Sequence, residues 1–147
     1  MRLSKIFCRV ALAAVVAMFG FAATSCSRLQ PSVEDVLQLT VDQVNALTPI
    51  EVDEITRLDS ASYGEPAQLR YHYTLSLDSL SATERDDMVA YMRKAIPERI
   101  RAEEGTAELN AMGVTFVYLY VNPSGEPLFD IAFAPAEYAP IDSTAVE

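Results

Sequence analysis

The sequence predicts an α+β fold in which a four-stranded antiparallel sheet carries two helices on one face. Three observations support this prediction: two segments with apolar residues at helical spacing, one segment of strict alternation, and two apolar segments joined by a turn. The elements follow in the order α-β-β-α-β-β within residues 32–138, which predicts a single domain.

The first helix is predicted to begin after Ser32, a typical N-cap, because Glu34 and Asp35 follow in the first turn. Pro49 is expected to end it. Its apolar residues recur near the helical period and predict one buried stripe, formed by Val33, Val36, Leu37, Val41, Val44 and Leu47.

The first pair of strands is predicted from a weak pattern followed by a clear one. Residues 50–59 are β-like, and residues 60–66 have the composition of a turn. From Leu69 to Leu77 apolar and polar residues alternate, so one face of this strand is expected in the core and the other in water.

The second helix is predicted to open with a capping box formed by Ser81 and Glu84. Proline inside a helix removes a backbone hydrogen bond, so Pro97 predicts a kink or a restart. Apolar residues spaced by four predict the buried side of this helix, and the helical segment is expected to finish by Gly105.

The second pair of strands is predicted to be a hairpin. Residues 114–121 are apolar on both faces and indicate a central strand, and residues 128–134 indicate its partner. Residues 122–125 form the turn between them. A loose tail is expected at residues 139–147.

The first 25 residues have the layout of a secretory leader. Arg2, Lys5 and Arg9 precede an apolar run over residues 10–24, and small residues follow. A membrane-spanning helix needs about 20 apolar residues, so this run is short for a span.

The segment Ala23-Thr24-Ser25-Cys26 resembles the lipobox of bacterial lipoprotein signal peptides, with Ala23 at the position where leucine is usual. The resemblance implies cleavage between Ser25 and Cys26, followed by attachment of lipid to the Cys26 sulfur. Stable anchoring takes more than one acyl chain, which such a lipid supplies. The alternative is an ordinary signal peptide that leaves Cys26 as a free thiol.

Residues 26–31 would then be the lipidated cysteine and a short tether. Residue 27, directly after the cysteine, is serine and not aspartate. By resemblance to lipoprotein sorting signals, this implies a position on the outer membrane, facing the periplasm.

The charge of the chain limits its partners. Three of the 11 basic residues lie in the leader, which leaves 8 beside all 21 acidic residues. So acidic a domain is repelled by phosphates, which excludes nucleic acid and leaves the lipid as the expected contact with the membrane. An envelope protein is the expected partner, or a small ligand.

The residues after Cys26 offer little for catalysis. They include one histidine, His72, and no cysteine, so nucleophilic catalysis and a zinc site are not expected, and no cofactor is predicted. The sequence therefore predicts a non-enzymatic protein. The alternative is an envelope hydrolase that uses carboxylates for acid–base work, with Asp53, Glu54 and Asp59 as candidates.

A candidate binding face consists of Arg57, Arg70 and His72. Arg70 and His72 share the wet face of their strand, and Arg57 joins them if the preceding segment pairs as a hairpin. Such cations could contact an anionic partner. In the alternative reading the arginines pair with local carboxylates such as Asp53 and Asp59. The tyrosines in the two clearest strands are expected in the core.

The middle of the chain resembles a family of small uncharacterised bacterial envelope proteins. The resemblance covers residues 43–133 and implies no particular activity. Its first half is carried by Val44-Asn45, Leu47, Pro49, Val52-Asp53-Glu54, Thr56-Arg57-Leu58, Leu69, Tyr71 and Tyr73, and its second half by Gly113-Val114, Tyr118, Tyr120 and Gly125.

Overall fold

The computed structural model describes residues 30–139, which form one sheet with helices packed against it. The sheet has five strands in the order β1-β2-β3-β4-β5. All neighbouring strands pair antiparallel except β3 and β4, which are parallel. The strands are β1 (Ile50–Glu51), β2 (Thr56–Gly64), β3 (Gln68–Leu75), β4 (Thr115–Val121) and β5 (Pro127–Phe133).

The parallel pair at the centre makes the prediction of a four-stranded antiparallel sheet wrong in strand number and in direction. Tyr71 lies opposite Tyr118, and Tyr73 lies opposite Tyr120. A parallel pair needs a crossover that returns the chain to the same end of the sheet, and a helix between β3 and β4 supplies it. The additional strand is the two-residue β1, which the weak pattern of residues 50–59 did not resolve.

Both long helices lie on one face of the sheet, as predicted, and share one core with it. The first helix packs over β2 and β3, and the second packs over β5. The helices are α1 (Val33–Leu47), α2 (Ala82–Ala102), α3 (Ala107–Ala111) and α4 (Pro135–Tyr138), with a 3₁₀ turn over Glu104–Thr106.

Capping by serine explains where the long helices begin. The Ser32 hydroxyl accepts a hydrogen bond from the Asp35 N–H, and the Asp35 carboxylate accepts one from the Ser32 N–H. Ser81 and Glu84 form the same pair of bonds at the start of α2, which confirms the predicted capping box. Hydrogen bonds from the serine side chain and backbone lower the pKa of both carboxyl groups.

Two details of the predicted helices differ from the structure. Leu47 was placed on the buried stripe of α1, but it is 47% exposed at the end of the helix. The second helix continues through Pro97 to Ala102, so it does not restart there. Pro97 is buried with the core side chains of α2. The backbone position that lacks an N–H therefore lies on the side of the helix that packs against the core.

Strand β2 occupies most of the segment that was predicted to be a turn. The strand extends to Gly64, and only residues 65–67 make the connection to β3. Its small and polar residues resemble a turn by composition, yet their backbone is paired with β3 throughout. The register shifts between Leu58 and Ser60, so Asp59 lies in a bulge.

Beyond the short β1, the outer edge of β2 is protected by a side chain. The Asn45 amide accepts a hydrogen bond from the Ala61 N–H at 2.7 Å and donates one to the Ala61 carbonyl at 3.0 Å. Both are the bonds that a neighbouring strand would make. Asn45 therefore extends the ladder from α1 and satisfies backbone groups that would otherwise be unpaired at the edge.

The face of the sheet beneath the helices is an aromatic core. Tyr73 and Tyr120 stack with ring centroids 5.0 Å apart, and Tyr120 stacks on Phe129 at 4.6 Å. Tyr118 lies 5.5 Å from Tyr71. These tyrosines are buried, which confirms that they belong to the core.

The predictions for the leader (residues 1–25), for Cys26 and for nearly all of the tether (26–31) and the tail (139–147) lie outside the described residues.

Candidate functional site

The second face of the sheet is not covered by any helix of residues 30–139, and we call it the open face. Successive side chains of a strand point to opposite faces of the sheet. The residues that alternate with the buried ones therefore lie on the open face. Its members are Arg57, Asp59, Ser60, Ser62, Gly64, Gln68, Arg70, His72, Thr74, Thr115, Val117, Leu119, Val121, Asp130 and Ala132.

The candidate residues Arg57, Arg70 and His72 do share this face. Arg57 lies opposite Thr74, which follows Arg70 and His72 at alternate positions of β3. The condition set by the sequence, that the preceding segment pairs with β3 as a hairpin, is met. Each of the three side chains has different partners on this face.

Arg57 is neutralised by a neighbour. Its Nε donates to Asp59 Oδ1 at 2.5 Å, and the same carboxylate accepts a hydrogen bond from the Thr74 hydroxyl at 2.6 Å. Asp59 lies in the bulge, and its carboxylate contacts a residue of each strand. The bond and the charge of Asp59 raise the pKa of Arg57. Arg57 therefore follows the alternative reading, in which arginine pairs with a local carboxylate.

His72 is held by a hydroxyl group. Its Nε2 lies 2.8 Å from the Ser62 Oγ, across the β2–β3 pair. Partial burial lowers the pKa of His72, and the positive charge of Arg70 lowers it further, while Asp59 acts in the opposite direction. The ring is therefore favoured in its neutral form, as a hydrogen-bonded group.

Arg70 is the cation of this face that has no carboxylate beside it in the described part of the chain. Its Nε and Nη2 donate to the Gln68 Oε1 at 3.1 and 2.8 Å. Its guanidinium lies against the backbone of Gly64, where an added Cβ would be 2.7 Å from Nη2. Gly64 thus leaves the space in which the guanidinium rests.

An apolar stripe runs beside these cations along β4. Val117 lies opposite Arg70, Leu119 opposite His72, and Val121 opposite Thr74, all three half-buried. On the other side of the stripe β5 contributes Asp130 and Ala132, which are exposed. The open face thus has an apolar centre with polar and charged groups around it.

The carboxylates proposed for acid–base work have separate environments. Asp53 Oδ1 accepts hydrogen bonds from the N–H groups of Ile55 and Thr56 and so holds a turn. Glu54 is exposed. Asp59 is bonded to Arg57 and Thr74 on the open face.

A narrow cleft on the helix side has room for about one water molecule. It is lined by Tyr71 and Tyr118 from the sheet, by Arg99 from α2 and by Glu103, the residue that follows this helix. The side chains of Arg99 and Glu103 form an ion pair at 3.3 Å. Burial raises the pKa of both tyrosines. The cleft is a gap in the core packing and is too small for an organic ligand.

Within residues 30–139, no group of three or more histidine, cysteine, aspartate or glutamate side chains is placed to hold a metal ion. In the same residues, no helix is long and apolar enough to cross a membrane.

Sequence reasoning found the three candidate side chains but missed the residues that place them. Composition predicts a turn at Ser62 and Gly64, and alternation predicts only that Gln68 lies on the wet face of its strand. The half-buried β4 residues were expected to be buried on both sides. The spacing of Ser62 and Gly64, two residues apart, is that of one face of a strand, and in the structure they lie opposite Arg70 and Gln68.

In a comparison with known protein families, residues 32–129 match the model described as Domain of unknown function (DUF8479). This match spans more than half of the 147 residues. The chain belongs to this family. The DUF8479 domain therefore includes α1, the crossover helices and four complete strands, together with the start of β5. No curated protein matches the chain.

Solved structures resemble the DUF8479 domain in fold. One is a Pseudomonas aeruginosa protein provisionally described as secreted, with 16% identity and a TM-score of 0.58, covering 72% of this chain and 92% of its own. Another is the pilotin from the Vibrio vulnificus type 2 secretion system, with 14% identity and a TM-score of 0.58, covering 74% and 94%. At these identities the likeness shows a shared fold.

Proposed function

We propose that this chain is a lipid-anchored envelope protein whose domain is a non-enzymatic binding module for another envelope protein. The observation that carries the proposal is the open face, a sheet surface with an apolar centre and polar flanks. Such a composition is typical of protein interfaces, where apolar contacts lie inside a polar rim.

The anchor in this proposal is Cys26. The lipobox-like segment that ends at Ser25 and Cys26 supports cleavage and lipid attachment there, and Ser27 supports the outer membrane with the domain in the periplasm. A short tether would hold the domain close to the membrane surface. Partners in the envelope would then be reached without diffusion through the periplasm.

The likeness in fold to a pilotin supports a role as an accessory to an envelope assembly. That protein belongs to a type 2 secretion system, which is an assembly of several proteins. The separate environments of Asp53, Glu54 and Asp59 also favour binding over acid–base catalysis, because they do not meet at one reacting group.

The test of the open face compares two leucines. Wild type, Leu119→Glu and Leu39→Glu would each be expressed as the full chain, cross-linked in cells and purified from detergent-solubilised envelopes. Leu119 is at the centre of the open face, whereas Leu39 is 43% exposed on α1. We expect one protein to be recovered with wild type and with Leu39→Glu, and at least a tenfold loss with Leu119→Glu.

Recovery of the same protein with both glutamate variants would contradict use of the open face. Recovery of the domain alone under several cross-linking conditions would contradict a protein partner. Circular dichroism of the purified domains serves as the folding control for both variants.

The anchor has its own test, which is metabolic labelling with a fatty acid. Wild type is expected to incorporate the label and to fractionate with the outer membrane, and Cys26→Ala is expected to lose both properties. A labelled Cys26→Ala protein, or an unlabelled wild type released into the periplasm, would show that the lipid is not attached at this residue.

A further inference from the structure

Four arginines of the described domain form ion pairs with carboxylates, and Arg70 does not. In each of those pairs a carboxylate oxygen lies within 3.3 Å of the guanidinium. The pairs are Arg57 with Asp59, Arg85 with Asp86, Arg93 with Glu137, and Arg99 with Glu103. Arg70 is bonded instead to the neutral amide of Gln68, in a chain where acids outnumber bases by 21 to 11.

The position of Arg70 is fixed by its surroundings. Gln68 Oε1 accepts two of its N–H groups, and the backbone of Gly64 lies under the guanidinium. An arginine has five N–H donors, so three remain for a further acceptor. A charge that is already oriented loses less conformational entropy on binding than a free side chain does.

The groups around Arg70 indicate what such an acceptor would be attached to. Val117 lies opposite Arg70 on β4, and Leu119 and Val121 continue the apolar stripe. On the other side Ser62 lies opposite Arg70 on β2 and bonds His72. A ligand bound here would place an anion at the guanidinium and an apolar group on β4.

We propose that Arg70 is a carboxylate-binding site, and that the open face binds a polypeptide of the partner whose carboxylate lies beside an apolar side chain. The carboxylate would accept paired hydrogen bonds from the guanidinium. The apolar side chain would lie on Val117 and Leu119. The inference rests on the proposed use of the open face and adds the chemistry of the partner.

The experiment uses small probes and NMR amide shifts of the domain. N-acetyl-leucine presents a chain-end carboxylate, and the dipeptide N-acetyl-leucyl-glutamyl amide presents a side-chain carboxylate. N-acetyl-leucinamide is the matched control, because it keeps the apolar group without the charge. We expect at least one carboxylate probe to shift Arg70, His72 and Val117 with a Kd of about 1–10 mM, as small fragments do. The neutral amide should bind at least tenfold more weakly.

Variants then test whether binding depends on the position of the Arg70 guanidinium or only on the net charge of the domain. Arg70→Gln is expected to weaken the carboxylate probe at least tenfold. Gly64→Ala keeps every charge but would put a Cβ 2.7 Å from the present position of Nη2, so it is expected to displace the guanidinium and weaken binding several-fold. Arg85→Gln removes the same charge from α2, which packs on the other side of the sheet, so binding should stay within twofold of wild type.

Three outcomes would overturn the inference: no shifts with either carboxylate probe at 50 mM, equal binding of the neutral amide, or equal losses in Arg85→Gln and Arg70→Gln. The first two use wild type and do not depend on how a variant folds. In the envelope experiment, a partner that is lost with Leu119→Glu but kept with Arg70→Gln would leave the proposed function standing and remove the carboxylate site.

Discussion

The two faces of the sheet are built from the same strands and yet have different properties. On β4, Phe116, Tyr118 and Tyr120 are buried under the helices, while Val117 and Leu119 are half-buried on the open face. The covered face is aromatic, stacked and closed. The open face combines an apolar centre with arginine, histidine and acidic groups. The comparison teaches that stability resides on one face, which leaves the residues of the other available for recognition.

The largest expected effect separates two neighbours on β4. Phe116→Ala should cost about 3–5 kcal/mol of unfolding free energy, because it leaves a cavity in the core. Val117→Ala should cost less than about 1 kcal/mol, as expected for a half-exposed strand position. Urea unfolding of residues 30–139 measures both. Equal losses would mean that the open face contributes to the fold as the covered face does.

Asn45 tests how the covered side of the fold protects its edge. Asn45→Ala removes both hydrogen bonds to Ala61 and should cost about 1–3 kcal/mol, since one donor and one acceptor lose their partner. Hydrogen exchange at the Ala61 amide should accelerate as well. Asn45→Asp is the matched variant, because it keeps the acceptor and loses the donor. If Asn45→Ala left exchange at Ala61 unchanged, Asn45 would not act as a strand substitute.

Alkaline pH should lower the free energy of unfolding through the buried tyrosines of the covered face. Burial raises the pKa of Tyr73 and Tyr118 well above the usual value of 10.0, so the folded state keeps protons that the unfolded state loses. Their contribution to stability is complete below pH 10 and is lost as the pH rises above it. For each such tyrosine the slope is up to about 1.4 kcal/mol per pH unit. Urea unfolding between pH 9 and 11 should show a smaller slope for Tyr73→Phe, and identical slopes would contradict burial of Tyr73.

The smallest effect is expected on the open face, at His72. Its pKa should lie below 6.5, because burial and the charge of Arg70 disfavour the charged ring. The stability linked to His72 is then fully present above pH 6.5 and is lost as the pH falls through the folded pKa. In an NMR titration, Arg70→Gln should bring the pKa of His72 closer to 6.5. A pKa that did not respond to this variant would mean that the Arg70 charge does not reach the ring.

The parts of the fold that sequence predicts best are those set by neighbours along the chain. Ser32 and Ser81 mark helix starts, because the capping bonds join residues three apart. The β4–β5 hairpin follows in the same way from a turn between apolar segments. Alternation in β3 gave the two faces of the sheet and so the positions of Arg70 and His72.

The parts that sequence missed depend on residues far apart in the chain. Alternation gives the face of a residue but not the direction of the neighbouring strand, so the parallel β3–β4 pair was not predicted. The edge function of Asn45 depends on Ala61, sixteen positions away. The contact of Gly64 with the Arg70 guanidinium likewise required the structure, because composition alone assigned Gly64 to a turn.

The parallel β3–β4 pair has a consequence for how the chain reaches its native state. The β2–β3 and β4–β5 hairpins are local, but the two meet only after the chain has passed through α2 and α3. Contacts between distant segments form late, because loop closure must precede them. Until β4 and β5 emerge, the chain would therefore hold a half-sheet of β1–β3 in which the inner edge of β3 is unpaired, and we expect misassembly to be most frequent in this interval.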